Sequence, residues 1–363
     1  MSQLLIRLES ELVSTVDPAG RAQLTAQIAA NLARLGCFDE ANARIASLRE
    51  VYSDGRSGPV TAWIMLAEGL IHLYRDLSVA ALDRLARANL LGLAMGYKEL
   101  VTVASAWKAH AEFELSKFPE MFKSLQTAIN HSSTESHDAH TRIAMVLSNC
   151  YMLSGDRKNA QAWFMRGREH AVKNGDQASV EALLYNRSAF GLAALRLRNC
   201  DRPASAEELQ MTRSELKSSW NLQGLTQITA LKNHIHLAEA RLLMLEGRYA
   251  SAIVQLEVVR NMTPFANHNF SQDLIDLEIC FCRFSIGERD EAFAVYGSLD
   301  QSTFSTLDLD EQAVAEWMRW KLAEADARFG SPSDYRQHYD DLQGQHQAFA
   351  EELAGDLRKI VHR

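Results

Sequence analysis

One short pattern recurs along this chain at an almost constant interval, and that recurrence constrains the fold more than any other feature. An apolar helix end is followed by a small or polar residue, a charged turn, and an alanine that opens a new apolar helix. It reads LGCFDEA at Leu35 to Ala41, SGDRKNA at Ser154 to Ala160, EGRYASA at Glu246 to Ala252 and IGERDEA at Ile286 to Ala292. Degenerate copies are YRDLSVA at Tyr74 to Ala80 and LSKFPEM at Leu115 to Met121. Counted at the glycine position, the copies begin at 36, 75, 116, 155, 247 and 287, and the long gap before 247 leaves room for one stretched unit around Asn199 to Ala206. Seven units of about forty residues make a helical-repeat array whose core grows along one axis.

The pattern is that of a helical hairpin. Glycine closes the first helix in a left-handed conformation at little cost. Asp39, Asp156 and Asp290 stand near the start of the next helix, where a carboxylate meets the positive end of the dipole. Pro119 occupies a first-turn position, where no intrahelical donor is lost. The alanines (Ala41, Ala160, Ala252, Ala292) let two backbones approach. Stripes at helical spacing, such as Ile143, Leu147, Cys150, Tyr151 and Ser154, predict one buried face per helix. Second helices end at polar breaks: YSDGRSGP after Val51, AMGYKE after Leu93, INHSSTESHD after Ala128, VKNGDQ after Ala171 and TPFANHN after Met262.

Six prolines and eighteen glycines in 363 residues are too few for a sandwich of short strands. The formal net charge is −8, with 13 acidic against 7 basic residues from Asp300 onward, which gives no electrostatic footprint for nucleic acid or an anionic membrane. Five scattered cysteines, an odd number, predict reduced thiols and a cytoplasmic location. The opening residues read as an amphipathic helix rather than a signal peptide, and no apolar run reaches the ~18 residues of a membrane span.

These residues resemble the tetratricopeptide-repeat superfamily: Gly36, Phe38 and Ala41, and Gly247, Tyr249 and Ala252, match its helix-turn-helix signature, as Leu147, Ser148 and Tyr151 match its first helix. The period of about forty resembles the long-helix variety found in sensor regions of bacterial regulators. The resemblance implies an all-α, right-handed superhelical solenoid over residues 1–363, with an N-terminal cap at 1–18, repeats at 19–311 and an acidic helical cap at 312–363.

Chemistry-bearing clusters read as structure. On a helix the imidazoles of His234 and His236 point about 200° apart and cannot share a metal. His137 and His140 offer two ligands and no visible third, so a solvated helix start is expected. Cys280 and Cys282 read as buried thiols, and the paired carboxylates as solvated surface. No phosphate-binding glycine loop and no nucleophile elbow occurs, so neither a cofactor nor a catalytic residue is expected. Arg187, Arg196, Arg198 and Arg202 form a basic cluster with few local acids, either solvated or poised for a phosphate or carboxylate. Trp63 and Trp107 are either inter-repeat core or stacking platforms.

The resemblance places first helices on the concave face and points Trp107, His110, Arg142, Asn149, His234 and Arg241 into the groove. The expectation is a non-catalytic module that recognises a peptide or protein partner, with Asn149 holding peptide backbone and Arg142 and Arg241 projecting into solvent to meet carboxylates. The alternatives are a sensor taking a small anionic metabolite in a shorter, deeper, partly apolar site and, more remotely, an enzyme on a helical-repeat scaffold.

Overall fold

The computed structural model describes residues 2–52, 57–226, 232–261 and 271–361, and among these residues it contains seventeen α-helices and no strand. After α1 (Gln3–Ser14) the helices pair as hairpins: α2 (Pro18–Arg34) with α3 (Phe38–Tyr52), α4 (Gly58–Asp76) with α5 (Val79–Met95), and α6 (Lys98–Glu114) with α7 (Phe118–His131). Next come α8 (His137–Leu153) with α9 (Arg157–Asn174), α10 (Gln177–Asn199) with α11 (Ala206–Thr226), and α12 (Lys232–Leu245) with α13 (Tyr249–Asn261). The last two hairpins are α14 (Gln272–Ser285) with α15 (Arg289–Tyr296) and α16 (Leu309–Ala325) with α17 (Pro332–Val361). The seven expected turns are all present, and an eighth hairpin stands where a terminal cap was expected. The stretched fifth unit turns between Asn199 and Ala206, and its extra length lies in two long helices of 23 and 21 residues. The polar break after Met262, and half of the one after Val51, fall outside the described residues.

The turns follow one hydrogen-bond scheme. Gly36, Gly155, Gly247 and Gly287 have φ between 71° and 93°. In each turn the following amide reaches back five residues: Cys37 to Leu32, Asp156 to Tyr151, Arg248 to Leu243 and Glu288 to Arg283, at 2.9–3.0 Å. This double closure satisfies carbonyls that a helix end leaves orphaned. Ser116 adopts the same conformation at φ 55° without glycine's freedom. In the degenerate second copy the left-handed residue is Leu77, at φ 42°, rather than the residue at 75, and the buried alanine is Ala81 while Ala80 is exposed.

Second helices bury one narrow stripe, as in Ala41, Ile45 and Leu48 or Ala252, Leu256 and Val259. Some first helices bury far more of their surface: in α8 every residue from Thr141 to Tyr151 is buried. A helix of that kind has neighbours on every side. Here they are its hairpin partner, the first helices of adjacent hairpins, and α17. One turn of the superhelix brings the start of the chain back onto the α9–α10 junction, where Leu4 N–H donates to the Gly175 carbonyl (3.1 Å) and Arg7 to Asn174 Oδ1 (2.8 Å). The C-terminal end also folds back, with Leu353 and Leu357 of α17 buried in the core of α6, α7 and α8.

Candidate functional site

The interior of the superhelix, where the groove residues were expected to meet solvent, is packed and internally paired. Trp107 of α6 is 1% exposed and forms its centre. The Arg142 guanidinium lies 3.7 Å from the Trp107 ring centroid and that of Arg34 5.3 Å from it, within the range of cation–π attraction. His110 and Tyr74 meet the same ring edge-on, and its Nε1 donates to Asp138 Oδ2 at 3.3 Å.

Arg34 closes the superhelix. Its Nη2 donates to both Asp176 oxygens (2.7 and 2.6 Å) and to Ser179 Oγ (2.7 Å), linking the last residue of α2 to the start of α10. Asp176 also caps α10 by accepting from Ser179 N–H at 3.1 Å. Burial alone would raise the Asp176 carboxyl, but Arg34 and the Ser179 donors outweigh it and hold the group below its ordinary range. Burial, with Arg142 and Arg34 close by, pushes His110 well below 6.5 and keeps it neutral.

Arg142 and Arg241 do not project into solvent. Arg142 is 1% exposed; it donates to Ser179 Oγ (3.2 Å) and Met145 Sδ, and among the described residues its Nε has no acceptor and no carboxylate pairs with it. Burial, abetted by Arg34, lowers its pKa. Arg241 belongs to a second network, donating to Glu278 Oε1 (2.9 Å) and pairing with Glu311 (3.0 Å), while Arg196 also donates to Glu278. These bonds join α10, α12, α14 and α16. The physical reason is the same for both arginines: the superhelix closes tightly enough that its concave lining meets itself.

The structure therefore brings Trp107, His110 and Arg142 together and places Arg241 in the other network. His234, on α12 with Arg241, packs its ring edge against Tyr185 at 5.5 Å. Asn149 is buried on α8, and its amide nitrogen has no partner among the described residues.

The central residues that sequence reasoning missed are Arg34, Asp138, Asp176 and Ser179. The Gly175–Asp176 step was readable as a helix stop followed by an N-cap, but nothing local paired Asp176 with an arginine 142 positions away. His170 was missed as well: its Nδ1 lies 3.0 Å from that of His137, and its ring stacks on His140 at 4.7 Å, so both half-buried histidines have a ring partner. No group of three potential ligands among the described residues is arranged to hold a metal. The basic cluster of α10 also has partners from outside it. Arg187 pairs with Glu215, Arg196 with Glu278, and both Arg198 and Arg202 with Glu208. Arg187 and Arg198 border a cavity of 320 Å³ between α8–α9 and α10–α11.

A larger cavity, of 480 Å³, opens at the amino-terminal end of the interior. Its apolar floor includes Leu4, Leu8, Trp63 and Trp107. The charged walls differ in sign: Arg7 and Arg34 face it from α1 and α2, Glu135 and Asp138 from the start of α8 and the loop before it, and Lys98 and Glu99 from the start of α6.

No protein-family model and no curated protein matches the sequence. Among solved structures the chain is similar to the tetratricopeptide-repeat domain of P58(IPK), at 13% identity over 92% of this chain and 98% of that one, with a TM-score of 0.26. No helix among the described residues is long and apolar enough to cross a membrane. The class rests on the hairpins themselves, with four glycine-closed turns each followed by a buried alanine (Ala41, Ala160, Ala252, Ala292), and first helices stacked side by side. By that architecture the chain is an all-helical solenoid of helix-turn-helix repeats.

Proposed function

We propose that this chain is a non-catalytic binding module whose ligand seat is the 480 Å³ cavity, and that the ligand is compact and carries both charge signs, as an amino acid or dipeptide does. The observation that carries this reading is the opposition of a cationic α1–α2 wall and an anionic α8 wall across a tryptophan and leucine floor. An apolar cavity of a few hundred Å³ with a few convergent polar groups is the usual form of a small-ligand site. Asp138 accepts one hydrogen bond, from Trp107, and has no ion pair; Lys98 is exposed at the rim and unpaired among the described residues. Two cations facing two anions, with Lys98 and Glu99 side by side between them, fit a zwitterion better than the purely anionic metabolite considered from sequence. An extended peptide is disfavoured because Arg142 and Arg241, which would have met its carboxylates, are buried. Of the six expected groove residues only Trp107 lines the cavity; His110 and Arg142 pack against it, and Asn149, His234 and Arg241 lie elsewhere.

The test is calorimetric titration with free amino acids and dipeptides, their N-acetylated and C-amidated forms, and succinate. Free zwitterions should bind at least about tenfold more tightly than either blocked form, a difference of about 1.4 kcal/mol. Asp138→Asn and Lys98→Ala should each weaken that binding, while Arg166→Ala on an outer helix leaves it unchanged. Succinate binding as well as the zwitterions, or binding indifferent to Asp138→Asn, would contradict the proposal.

A further inference from the structure

The smaller cavity, of 320 Å³, has a chemistry of its own. Five charged side chains line it: Arg157 from α9, Arg187 and Arg198 from α10, and Glu208 and Glu215 from α11. Both carboxylates are already engaged. Glu215 accepts from Arg187 Nε (3.2 Å) and Nη2 (2.9 Å). Glu208 pairs with Arg198 (2.6 Å), meets Arg202, and accepts from Ser205 N–H at 2.9 Å. Three cations against two anions leave one positive charge over. Arg157 carries it, because its guanidinium has no hydrogen bond or ion pair among the described residues. It also opens α9, where the helix dipole disfavours a cation.

Two further donors are unused. Thr212 lines the cavity at 5% exposure, and its hydroxyl makes no hydrogen bond among the described residues. Ser214 and Ser218 on the same helix donate to the carbonyl four residues back, the ordinary outlet for a helical hydroxyl. Arg198 Nε is buried and has no acceptor among the described residues. Donors left so are costly unless something else accepts from them. Gly191 adds an independent observation. It stands inside α10 and lines the cavity, and a Cβ there would meet only Glu215 Oε2, at 3.7 Å. Packing does not demand glycine at a point where glycine weakens the helix. Its missing side chain leaves the cavity open.

We propose that this cavity is a second ligand site, for a small monocarboxylate with an apolar tail. The carboxylate would take Arg157, Arg198 and Thr212 as its donors, and the tail would lie against Met152, Phe164 and Leu195. One negative charge balances the surplus, and a guanidinium suits a carboxylate. No residue is shared with the larger cavity, so the proposal does not depend on what that one binds.

Calorimetric titration of the full chain with hexanoate and benzoate tests it. Both should bind. Hexanamide, which keeps the tail without the charge, should bind at least about tenfold more weakly, and so should acetate and inorganic phosphate, which lack the tail. Thr212→Val should weaken hexanoate binding about threefold or more, and Arg157→Gln likewise, while Arg166→Ala on the exposed side of α9 leaves it unchanged. Neither Thr212→Val nor Gly191→Ala should lower the melting temperature without ligand, since one removes an unpaired hydroxyl and the other a helix-weakening glycine. Gly191→Ala should nonetheless bind hexanoate more weakly than wild type, a combination that a purely structural glycine would not give. Absence of binding by hexanoate and benzoate would overturn the proposal. So would phosphate binding as tightly as hexanoate, or wild-type affinity in both Thr212→Val and Gly191→Ala.

Discussion

A guanidinium buried without a carboxylate is costly, because desolvation is not repaid by a counter-charge. Arg142 is in that position, with a tryptophan face, a serine hydroxyl and a thioether as its contacts. Replacement by an apolar residue of similar length removes the buried charge while keeping the volume. Arg142→Met should therefore be neutral or stabilising, whereas Arg142→Ala should lower stability by about 2 kcal/mol or more through the cavity it leaves. Arg34 differs because it has Asp176. Breaking that buried pair with Arg34→Ala should cost about 3–5 kcal/mol, read from denaturant midpoints. His110 gives a pH signature. Its folded pKa lies below that of the unfolded chain, so below pH ~6.5 the unfolded state binds the extra proton, and this contribution to stability falls as the pH falls. Glu114, 3.9 Å away, and Arg142 and Arg34 are the charged groups around it. His110→Gln lacks this dependence, so its stability deficit relative to wild type should shrink from pH 7.5 to 5.5. A deficit constant over that range would show that His110 is not held neutral.

At the scale of the element, local chemistry was legible and its copies behaved alike. Glycine turns, the aspartates Asp39, Asp156 and Asp290 in or beside the first turn of the next helix, and the small residues after the glycine turns all act within a few positions of one another, so the chain itself carries the information. Where the glycine was missing, the reading slipped, as at Leu77. Ser116 holds the left-handed conformation against the side-chain penalty of ~1 kcal/mol. Ser116→Gly should recover a good part of that and raise the melting temperature. Ala252 has no accessible surface, so Ala252→Trp should destabilise the sixth hairpin by about 1–3 kcal/mol through overpacking. An unchanged melting curve would place that alanine outside a packed contact.

At the scale of the molecule, the sequence failed where long-range geometry decides. First helices do line the concave side, as the repeat resemblance implied, but whether that side is an open groove depends on the superhelical pitch. Pitch accumulates from small rotations at each hairpin, and no residue pattern states their sum. Here one turn closes α1 and α2 onto the start of α10, and the polar lining becomes a set of internal struts around Trp107 and Glu278. The candidate cavity survives at one end because α1, α2, α6 and α8 meet there without filling the space between them. A ligand bridging the α2 and α8 walls would reinforce the same closure that Arg34 and Asp176 make. That closure is the central claim, and small-angle X-ray scattering of wild type beside Asp176→Ala tests it most directly. The variant, having lost the partner of Arg34, should show a larger radius of gyration and a lower melting temperature. Identical scattering and identical melting of the two proteins would contradict a superhelix latched shut at that pair.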